Sequence, residues 1–459
     1  MKRTNVAVVV GGGISGLAAA HALVEAGADV TLVEADDRLG GKIRTSEFDG
    51  RPVDEGPDAF LARVPHAVEL SKRLGIADDL VSPGTGSASL WLDGRLQPIP
   101  TGLVLGVPVD FGPLAESGVL SDEGLARARR EPELPGLPLT DDVTIGDLIR
   151  QRYGPEVHER LVDPLLGGIN AGRTEELSLD VGAAQLAAVA RRAASLTEGL
   201  QQQRAAHPPD PSAPVFYAPR GGMGALVDAL ATSLRASGAD LHTSSPVAAI
   251  ERRADRWLVI GEDGAVHDAD AVVVTTPAHA AAPLLAPHSP DAARALAGVA
   301  YASVTLVTLA YDADTVTRPL AGSGFLVPRT EGRLLTACSV FSNKWPHLAR
   351  AGSVTLRASV GRSGDERGFD LDDDALVAAV HDELAGVLGL TAPPTATRIS
   401  RWRRSFPQFP AGHLASMDGL EAAMRVGAPG IAVTGAYLRG VGIPACIGAA
   451  QAAVAGLLS

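Results

Sequence analysis

Residues 6–45 decide the fold, and they read VAVVVGGGISGLAAAHALVEAGADVTLVEADDRLGGKIRT. The first five of these residues form a fully apolar run rich in valine, as expected for a central strand of a parallel sheet. A glycine turn follows, and residues 14–26 predict a helix that stops near Gly27. Residues 30–34 predict a second strand. The stretch therefore predicts a βαβ unit.

A dinucleotide-binding signature lies in the turn of this unit. Gly11, Gly13 and Gly16 form the pattern G-x-G-x-x-G directly after the predicted strand. The first glycine permits the tight turn, the second lets backbone N–H groups approach a pyrophosphate, and the third allows the helix to pack closely on the strand. Glu34 ends the next strand roughly 20 residues later, where a carboxylate accepts hydrogen bonds from ribose hydroxyls. A glycine-rich surface turn would not require that carboxylate, so we predict dinucleotide binding.

The residues after Glu34 favour FAD over NAD. Arg38, Gly40, Gly41 and Lys42 provide a second glycine doublet with a cation beside it, which can approach the same pyrophosphate from the other side. At this point the chain resembles the flavin amine oxidase superfamily, in which an E-A-x-x-R-x-G-G-[KR] stretch follows the first nucleotide motif. Simple NAD dehydrogenases lack this stretch.

The C-terminal segment supplies a matching piece. Residues 431–435 predict a strand, and Pro444 suits the first position of the helix that follows the next glycine loop. A helix N-terminus aimed at the flavin pyrimidine would stabilise the negative charge of the reduced ring. The alternative is a C-terminal helix that only packs on the core.

Several stretches resemble the oxygen-dependent protoporphyrinogen and coproporphyrinogen oxidase family, in order along nearly the whole chain. They are DPLLGGINAG at 163–172, GGMG at 221–224, SGFLVP at 323–328 and GVGIP at 440–444. GPDAFL at 56–61 is similar to the version found in the Gram-positive bacterial branch. That branch implies oxidation of coproporphyrinogen III to coproporphyrin III in haem biosynthesis, with oxygen as acceptor and hydrogen peroxide as product.

The resemblance also implies contacts residue by residue. The residues expected to bind FAD non-covalently are Gly11, Gly12, Gly13, Ile14, Ser15, Gly16, Glu34, Ala35, Lys42, Gly56, Pro57, Asp58, Ala59, Val247, Trp402, Val441, Gly442 and Ile443. Gly324 and Leu326 are expected to line an apolar cavity against the macrocycle. Arg44 and Arg63 are candidates to bind the propionates, because a guanidinium can hold a carboxylate with two hydrogen bonds.

Three positions depart from the family pattern. Asn170 stands where the family usually has Tyr, Ala445 replaces a common Asp near the flavin, and Val64 stands where relatives often carry Lys. The last departure removes one expected propionate contact, and the effects of the other two stay open at this stage.

The implied chemistry needs little from the side chains. A porphyrinogen loses six electrons, and a flavin takes two per hydride, so three rounds are needed for each macrocycle. A pyrrole N–H beside each bridging carbon can release its proton as the hydride leaves, so a strong side-chain base is not required. The sequence shows no catalytic triad and no metal-binding cluster, and the eleven histidines have no ligand spacing. Catalytic residues beyond the flavin are therefore unknown from sequence.

Four alternatives remain at the level of sequence. The substrate could be protoporphyrinogen IX, which keeps the mechanism. An amine oxidase is less favoured, because its aromatic cage fits poorly with an aromatic content of 4%. A phytoene-type desaturase would need a long lipid-facing tunnel. A protein of another class, a flavoprotein that binds a porphyrin without turnover, would be reduced by substrate without releasing product.

The order of the motifs predicts an α/β fold with a discontinuous Rossmann-like FAD-binding domain of the amine oxidase (GR2) type. This domain is assigned residues 1–85, 215–295 and 400–459. A β-rich substrate-binding domain is assigned 86–100 and 296–399, and a helical, membrane-type insertion is assigned 101–214.

Composition limits the partners and the compartment. The net charge of −13 argues against nucleic-acid binding, which needs a basic surface. Two distant cysteines are too few for a zinc cluster or a disulfide framework, which favours a reducing cytosol. No uninterrupted apolar run is long enough to span a bilayer, so membrane contact is expected to be peripheral at most. By family resemblance, a ferrochelatase is the expected recipient of the product.

Overall fold

The computed structural model describes residues 5–208, 210 and 213–459. Residues 1–4 of the predicted FAD-binding domain, and residues 209 and 211–212 of the predicted insertion, lie outside the described residues. The chain forms three regions. The first is a parallel sheet with helices on both faces, the second is a larger mixed sheet, and the third is helical.

A five-stranded parallel sheet organises the first region. Its strands, in spatial order, are Asp240–His242, Asp29–Val33, Val6–Val10, Ala271–Val274 and Ile431–Val433. The predicted βαβ unit is present, with its helix at Ile14–Glu25. The strand Val6–Val10 is apolar throughout because both of its faces are covered by other elements. The sheet draws on three separate parts of the chain, so the predicted discontinuous α/β domain is confirmed.

Helices and a ribbon cover the two faces of this sheet. The helices on one face are Ile14–Glu25, Gly224–Ala236 and Ile443–Leu458, whose apolar residues share one core with the first strand. The other face is covered by helices Ala278–Leu285, Pro290–Ala297 and His413–Gly427 and by the antiparallel strands Val247–Arg253, Arg256–Gly261 and Val266–Ala269. The last helix starts one residue earlier than the sequence suggested, at Ile443.

A seven-stranded mixed sheet forms the second region. Its strands, in spatial order, are Ala396–Pro407, Tyr301–Asp312, Ser353–Val360, Leu335–Val340, Gly324–Leu326, Ser89–Leu92 and Arg95–Pro98. Helix Asp373–Leu388 packs on one face through Leu376, Val380 and Leu384. The strand Ala396–Pro407 belongs entirely to this sheet, so the predicted domain boundary at residue 400 falls inside a strand.

The third region is helical, as predicted for the insertion. Its helices are Phe111–Ser117, Asp122–Arg129, Ile145–Tyr153, Pro155–Val157, His158–Gly167, Gly168–Asn170, Leu179–Gly182, Ala184–Ala190 and Leu196–Ala206. The segment His158–Gly167 is a π-helix that contains Pro164, whose missing N–H disfavours ordinary α-helical bonding. A buried ion pair between Glu131 and Arg152 ties the region together, and the glutamate also accepts a hydrogen bond from Ser195 at 2.6 Å.

Short elements complete the chain. The small sheets consist of Thr45–Phe48 with Arg51–Asp54, Leu103–Val104 with Val107–Pro108, and Phe216–Pro219 between Phe60–Leu61 and Leu80–Val81. The remaining α-helices are Pro65–Arg73, Phe341–Lys344 and Ala436–Arg439. Single 3₁₀ turns occur at Ala77–Asp79, Glu131–Glu133, Ala313–Thr315, Arg329–Glu331, Pro346–Leu348 and Arg367–Phe369. Over the described ranges, every helix is too short or too polar to cross a membrane.

Candidate functional site

The glycine turn at Gly11–Gly13 and the glycine doublet Gly40–Gly41 contact each other. The N–H of Gly40 donates to the carbonyl of Gly12 at 2.8 Å, and Gly40 also forms a bridge with Gly13. A Cβ built on Gly41 would lie 3.1 Å from the Cα of Gly13. Arg38 fixes the second loop by donating to the carbonyl of Gly41 at 2.6 Å. The two loops therefore pack against each other as one glycine platform.

The third glycine of the first motif is required by close packing. A Cβ built on Gly16 would lie 1.8 Å from the carbonyl oxygen of Gly11 and 2.7 Å from Oγ1 of Thr275. Thr275 donates to the carbonyl of Gly11 at 2.9 Å, and thereby holds the turn against the neighbouring strand. Within the described part of the chain, no side chain caps the helix that starts at Ile14. Its first N–H groups are therefore free to bind an anion.

Glu34 lies beside this turn, as predicted. Its carboxylate accepts hydrogen bonds from the N–H of Gly12 and, at 2.8 Å, from the N–H of Asp36. The carbonyl of Glu34 accepts from the N–H of Ser245 at 2.8 Å, which brings the strand that begins at Val247 to the same edge. Ala35 is exposed next to them. The predicted residues of the ribose end are therefore neighbours.

Lys42 is the cation of the second loop, and it lies between several segments. Its Nζ donates to the carbonyl of Ser405 and lies 6.0 Å from the centre of the Tyr301 ring. Burial lowers the pKa of Lys42, and the Cys446 thiol opposes this shift. A Cβ built on Gly56 would lie 2.2 Å from the carbonyl of Lys42, so the loop that contains Gly56 packs directly on the loop that contains Gly40, Gly41 and Lys42.

A second helix N-terminus reaches the same place. Gly442 precedes the helix Ile443–Leu458, and no side chain of the described residues caps this start either. Burial raises the pKa of the Cys446 thiol in its first turn, while a hydrogen bond with Ser15 and the charge of Lys42 oppose the rise. Cys446 is therefore near both Ser15, in the first turn of helix Ile14–Glu25, and Lys42. Val441 is half-buried beside them, and Ala445 offers no carboxylate there.

Asp58 has a different environment from the one that its motif suggests. Its Oδ2 accepts hydrogen bonds from Lys344 at 2.8 Å and Trp345 at 3.1 Å, and it pairs with Arg357 at 3.1 Å. Burial by itself raises the pKa of Asp58, but the charges of Arg357 and Lys344 outweigh it and hold that pKa well below its usual range. The carboxylate therefore joins the loop to the large sheet, and only its backbone is left to meet a cofactor. Pro57 is exposed and Ala59 half-buried beside it.

Trp402 stands where the large sheet meets the cofactor loops. Its indole Nε1 donates to the carbonyl of Glu55 at 2.6 Å, one residue before Gly56. Across the strand pair, Trp402 lies opposite Val304. The predicted flavin neighbour is thus adjacent to the predicted flavin loop.

The four predicted substrate residues lie in different places. Arg44 pairs with the buried Glu55 at 3.0 Å, and exposed Arg63 donates to Gln185 of the helical region at 3.3 Å. Gly324 adopts φ +147°, and a Cβ there would lie 2.1 Å from the carbonyl of Cys338, so close strand packing explains this glycine. Leu326 packs towards the helical region. The structure does not bring the two arginines together.

The remaining departures from the family pattern have packing explanations. Asn170 is buried at the end of the helical segment that follows the π-helix, where its Nδ2 donates to the carbonyl of Leu166 at 2.8 Å. Its own carbonyl accepts from Gln408, which directly follows the strand Ala396–Pro407, at 3.1 Å. Val64 precedes the first turn of helix Pro65–Arg73 and is half-buried.

The spacing of residues along the sequence did not reveal one cluster of a histidine and two carboxylates. His158, Asp163 and Glu175 place possible ligand atoms within 4.8 Å of one another in the helical region. Thr174 engages both His158 at 2.8 Å and Asp163 at 2.7 Å, and Arg150 pairs with Glu175 at 3.1 Å. Protein groups therefore already hold these side chains. The residues come together only because the π-helix folds back on the following turn.

These features fit a dinucleotide that carries a flavin. The glycine platform and the first helix start suit a pyrophosphate, and Glu34 suits a ribose. The second helix start and Lys42 supply positive potential at a distinct point, where a reduced flavin would carry negative charge. A simple NAD site would have no use for this second feature.

Comparisons with known proteins agree with this site over nearly the whole chain. The sequence profile of the family described as flavin containing amine oxidoreductase matches residues 14–458. The coproporphyrinogen III oxidase of Bacillus subtilis (strain 168) is 34% identical over 466 residues, covering 98% of this chain and 97% of the relative. That of Propionibacterium freudenreichii subsp. freudenreichii is 36% identical over 477 residues, covering 97% of this chain and 89% of the relative. A solved structure from Exiguobacterium sp. 255-15, provisionally named a protoporphyrinogen oxidase, has a TM-score of 0.88 and 30% identity, covering 99% of this chain and 98% of that one.

Proposed function

The chain belongs to the flavin-containing amine oxidoreductase family, and we propose that it is an FAD-dependent oxidase that converts coproporphyrinogen III into coproporphyrin III. The observation that carries the cofactor part is the contact between the two glycine loops beside the uncapped start of helix Ile14–Glu25. The substrate part rests on the names of relatives that match nearly the whole chain.

The residues have separate roles in this proposal. Backbone amides of the turn at Gly11–Gly16 bind the pyrophosphate, and Glu34 accepts hydrogen bonds from the adenosine ribose. The helix start at Gly442 and Ile443 would hold the flavin pyrimidine, where its N–H groups would stabilise negative charge. Lys42 would add a nearby cation, and the loop at Gly56, which packs against both Lys42 and Trp402, would contact the flavin.

The bound flavin supplies two-electron oxidation with oxygen as the final acceptor, so one macrocycle requires three oxygen molecules and yields three of hydrogen peroxide. The protein orients the macrocycle and excludes water. The pyrrole N–H groups of the substrate release the protons, so no side-chain base is needed. The proposal therefore assigns no residue of this chain as a general base.

The test is direct. Purified protein loaded with FAD is mixed in air with coproporphyrinogen III or protoporphyrinogen IX, and porphyrin fluorescence and peroxide are followed against an enzyme-free control. We expect faster turnover of coproporphyrinogen III, with three peroxides for each porphyrin. Absence of porphyrin from both substrates, with the flavin remaining oxidised, would refute the proposal and return attention to amines and carotenoids.

Protoporphyrinogen IX is the second candidate substrate, because the similar structure from Exiguobacterium carries that provisional name. A preference for it in the same assay would keep the mechanism and move the enzyme to another step. Reduction of the flavin without product release would instead indicate a porphyrin-binding flavoprotein. For the first candidate, the expected recipient of the product is a ferrochelatase.

A further inference from the structure

A cavity of about 500 Å³ is lined by four arginines where the helical region meets the large sheet. Arg173 comes from the turn after the π-helix, Arg329 follows the strand Gly324–Leu326, and Arg362 and Arg367 follow the strand Ser353–Val360. None of these arginines was singled out by the sequence motifs. The cavity draws on three segments, so it exists only in the folded chain.

Two of these arginines have a local carboxylate and two do not. Asp365 holds Arg367 with two hydrogen bonds of 2.8 Å, and Glu176 lies 3.7 Å from Arg173. Arg329 donates only to backbone carbonyls, at 3.2 and 3.3 Å. Arg362 is only 9% exposed, and neither it nor Arg329 forms an ion pair with any residue that the structure describes.

The proximity of the positive charges of Arg329 and Arg362 is unfavourable in the protein without a ligand. The Nε atoms of Arg329 and Arg362 are both buried without a hydrogen-bond partner among the described residues. Burial lowers the pKa of Arg362 to about 10, and the charge of Arg329 adds to the shift, whereas the more distant charges of Asp365 and Asp163 oppose it without forming an ion pair. Buried polar groups without partners are uncommon and call for an explanation, such as a bound ion. A ligand with carboxylates would supply the missing acceptors and the opposite charge.

The cavity is also near the predicted flavin site. Arg362 directly follows Gly361, and a Cβ built on Gly361 would lie 2.7 Å from the carbonyl of Ser303. The next residue, Val304, lies opposite Trp402. Neighbouring strands are spaced by about 4.8 Å, so two spacings place Gly361 roughly 10 Å from Trp402. This distance is comparable with that from the centre of a tetrapyrrole to the carboxylate of one of its propionates.

A buried apolar cluster lies between these points. Ala171, Ala302 and Val304 form a small buried cluster with Leu306 and Phe406 packed against it. The N–H of Ser363 donates to the carbonyl of Ala171 at 2.7 Å, which joins the arginine loop to this cluster. The arginine loop is therefore anchored to the strand that pairs with Trp402, which holds the two arginines in a fixed position relative to that residue.

We propose that Arg329 and Arg362 bind propionate carboxylates of the porphyrinogen and thereby favour a four-carboxylate substrate over a two-carboxylate one. The inference rests on the proposed function, because it takes the macrocycle to lie against the flavin. It also replaces the sequence-based candidate Arg44, whose charge is already paired with Glu55. A guanidinium suits this role better than an ammonium, since its planar fork matches a carboxylate.

The experiment uses the FAD-loaded enzyme and the variants Arg329→Gln and Arg362→Gln. The matched control is Arg130→Gln, which removes an arginine that is 68% exposed in the helical region. Dissociation constants are measured by fluorescence quenching with coproporphyrin III, which has four carboxylates, and mesoporphyrin IX, which has two. KM and kcat are measured with coproporphyrinogen III and protoporphyrinogen IX. The visible flavin spectrum of each variant reports folding, and Arg362→Lys serves if Arg362→Gln does not fold.

Each glutamine variant should weaken coproporphyrin III binding about tenfold or more, because charge-assisted hydrogen bonds are lost. The KM for coproporphyrinogen III should rise with kcat little changed, mesoporphyrin IX should respond less, and Arg130→Gln should match the wild type. The affinity of Arg362→Lys for coproporphyrin III should lie between those of the wild type and Arg362→Gln, because lysine keeps the positive charge but cannot form two parallel hydrogen bonds to a carboxylate.

Several results would overturn the inference. They are unchanged coproporphyrin III binding in the variants, equal weakening of both porphyrins, weaker product binding with an unchanged KM for coproporphyrinogen III, and wild-type protein that binds neither porphyrin. If the wild type oxidises neither porphyrinogen but binds coproporphyrin III through these arginines, the proposed function fails while the carboxylate site stands.

Discussion

Replacing Gly16 with alanine tests whether the nucleotide turn depends on close backbone packing. The added Cβ would lie 1.8 Å from the carbonyl oxygen of Gly11, whereas carbon and oxygen normally approach to about 3.3 Å. The turn and the helix must therefore separate by roughly 1.5 Å. Overpacking of this kind costs about 1–3 kcal/mol, and it outweighs the gain of about 0.5–1 kcal/mol that alanine brings to a helix.

The consequence for the cofactor follows from the same displacement. The free N–H groups at the helix start would no longer lie beside the platform formed by Gly12 and Gly40. Hydrogen bonds to a charged group contribute about 1.5–3 kcal/mol, so the dissociation constant of FAD should rise at least tenfold. We expect Gly16→Ala to lose about 1–2 kcal/mol in its free energy of unfolding, measured in urea on the apoprotein. FAD affinity is measured by titration of the same apoprotein.

The matched control is Gly419→Ala in helix His413–Gly427. A Cβ built on Gly419 meets no atom of the described residues within 4 Å. The same substitution should therefore stabilise the protein by up to about 1 kcal/mol and leave FAD affinity unchanged. If Gly16→Ala behaves like Gly419→Ala in both measurements, the packing argument for the nucleotide turn is wrong.

Three further substitutions test buried carboxylates by urea unfolding at several pH values. Asp58→Asn leaves Arg357 without its partner and should cost about 3–5 kcal/mol at pH 7. Because the folded pKa of Asp58 is depressed, the wild type has this stabilisation above about pH 4 and loses it at lower pH, so the difference between wild type and variant should shrink there. Burial raises the pKa of Asp54 to about 6, so its contribution to stability is greatest below about pH 4 and is lost as the pH rises through 6. The stability of Asp54→Asn should not show this fall. If the stability of the variant and of the wild type changes identically with pH, the raised pKa of Asp54 is refuted. Glu131→Gln leaves Arg152 buried and unpaired, and should cost about 3–5 kcal/mol of stability. The helical region should become open to proteolysis while the flavin content is retained. Loss of flavin together with stability would contradict the separation of the Glu131–Arg152 pair from the cofactor site.

The geometry of the predicted nucleotide turn could be anticipated from sequence because its parts are local. The strand Val6–Val10, the turn, the helix and Glu34 lie within one βαβ unit, where spacing along the chain fixes spacing in space. The second glycine doublet follows within a few residues, and the structure brings it onto the first. The C-terminal helix start is distant in sequence, but Pro444 and the glycine loop before it marked its position.

The roles of charged side chains could not be predicted in the same way. The motif around Gly56 suggests that Asp58 serves the cofactor, yet its carboxylate pairs with Lys344 of the short helix Phe341–Lys344 and with Arg357 of the large sheet. Likewise, Arg44 is a natural candidate for a propionate until its pairing with Glu55 is seen. Ion pairs between distant segments leave no spacing pattern, because either partner can come from any loop that the fold brings near.

Sequence by itself thus determined the parallel-sheet nucleotide unit and the flavin family, since glycines at fixed intervals are demanded by backbone geometry. Only the tertiary structure decided which arginines keep an unpaired charge. Arg329 and Arg362 lie on separate loops, and what distinguishes them from the other arginines of the cavity is the lack of a carboxylate partner among the described residues. That property depends on how distant segments pack and on how much water they exclude, and neither is encoded in the local order of residues.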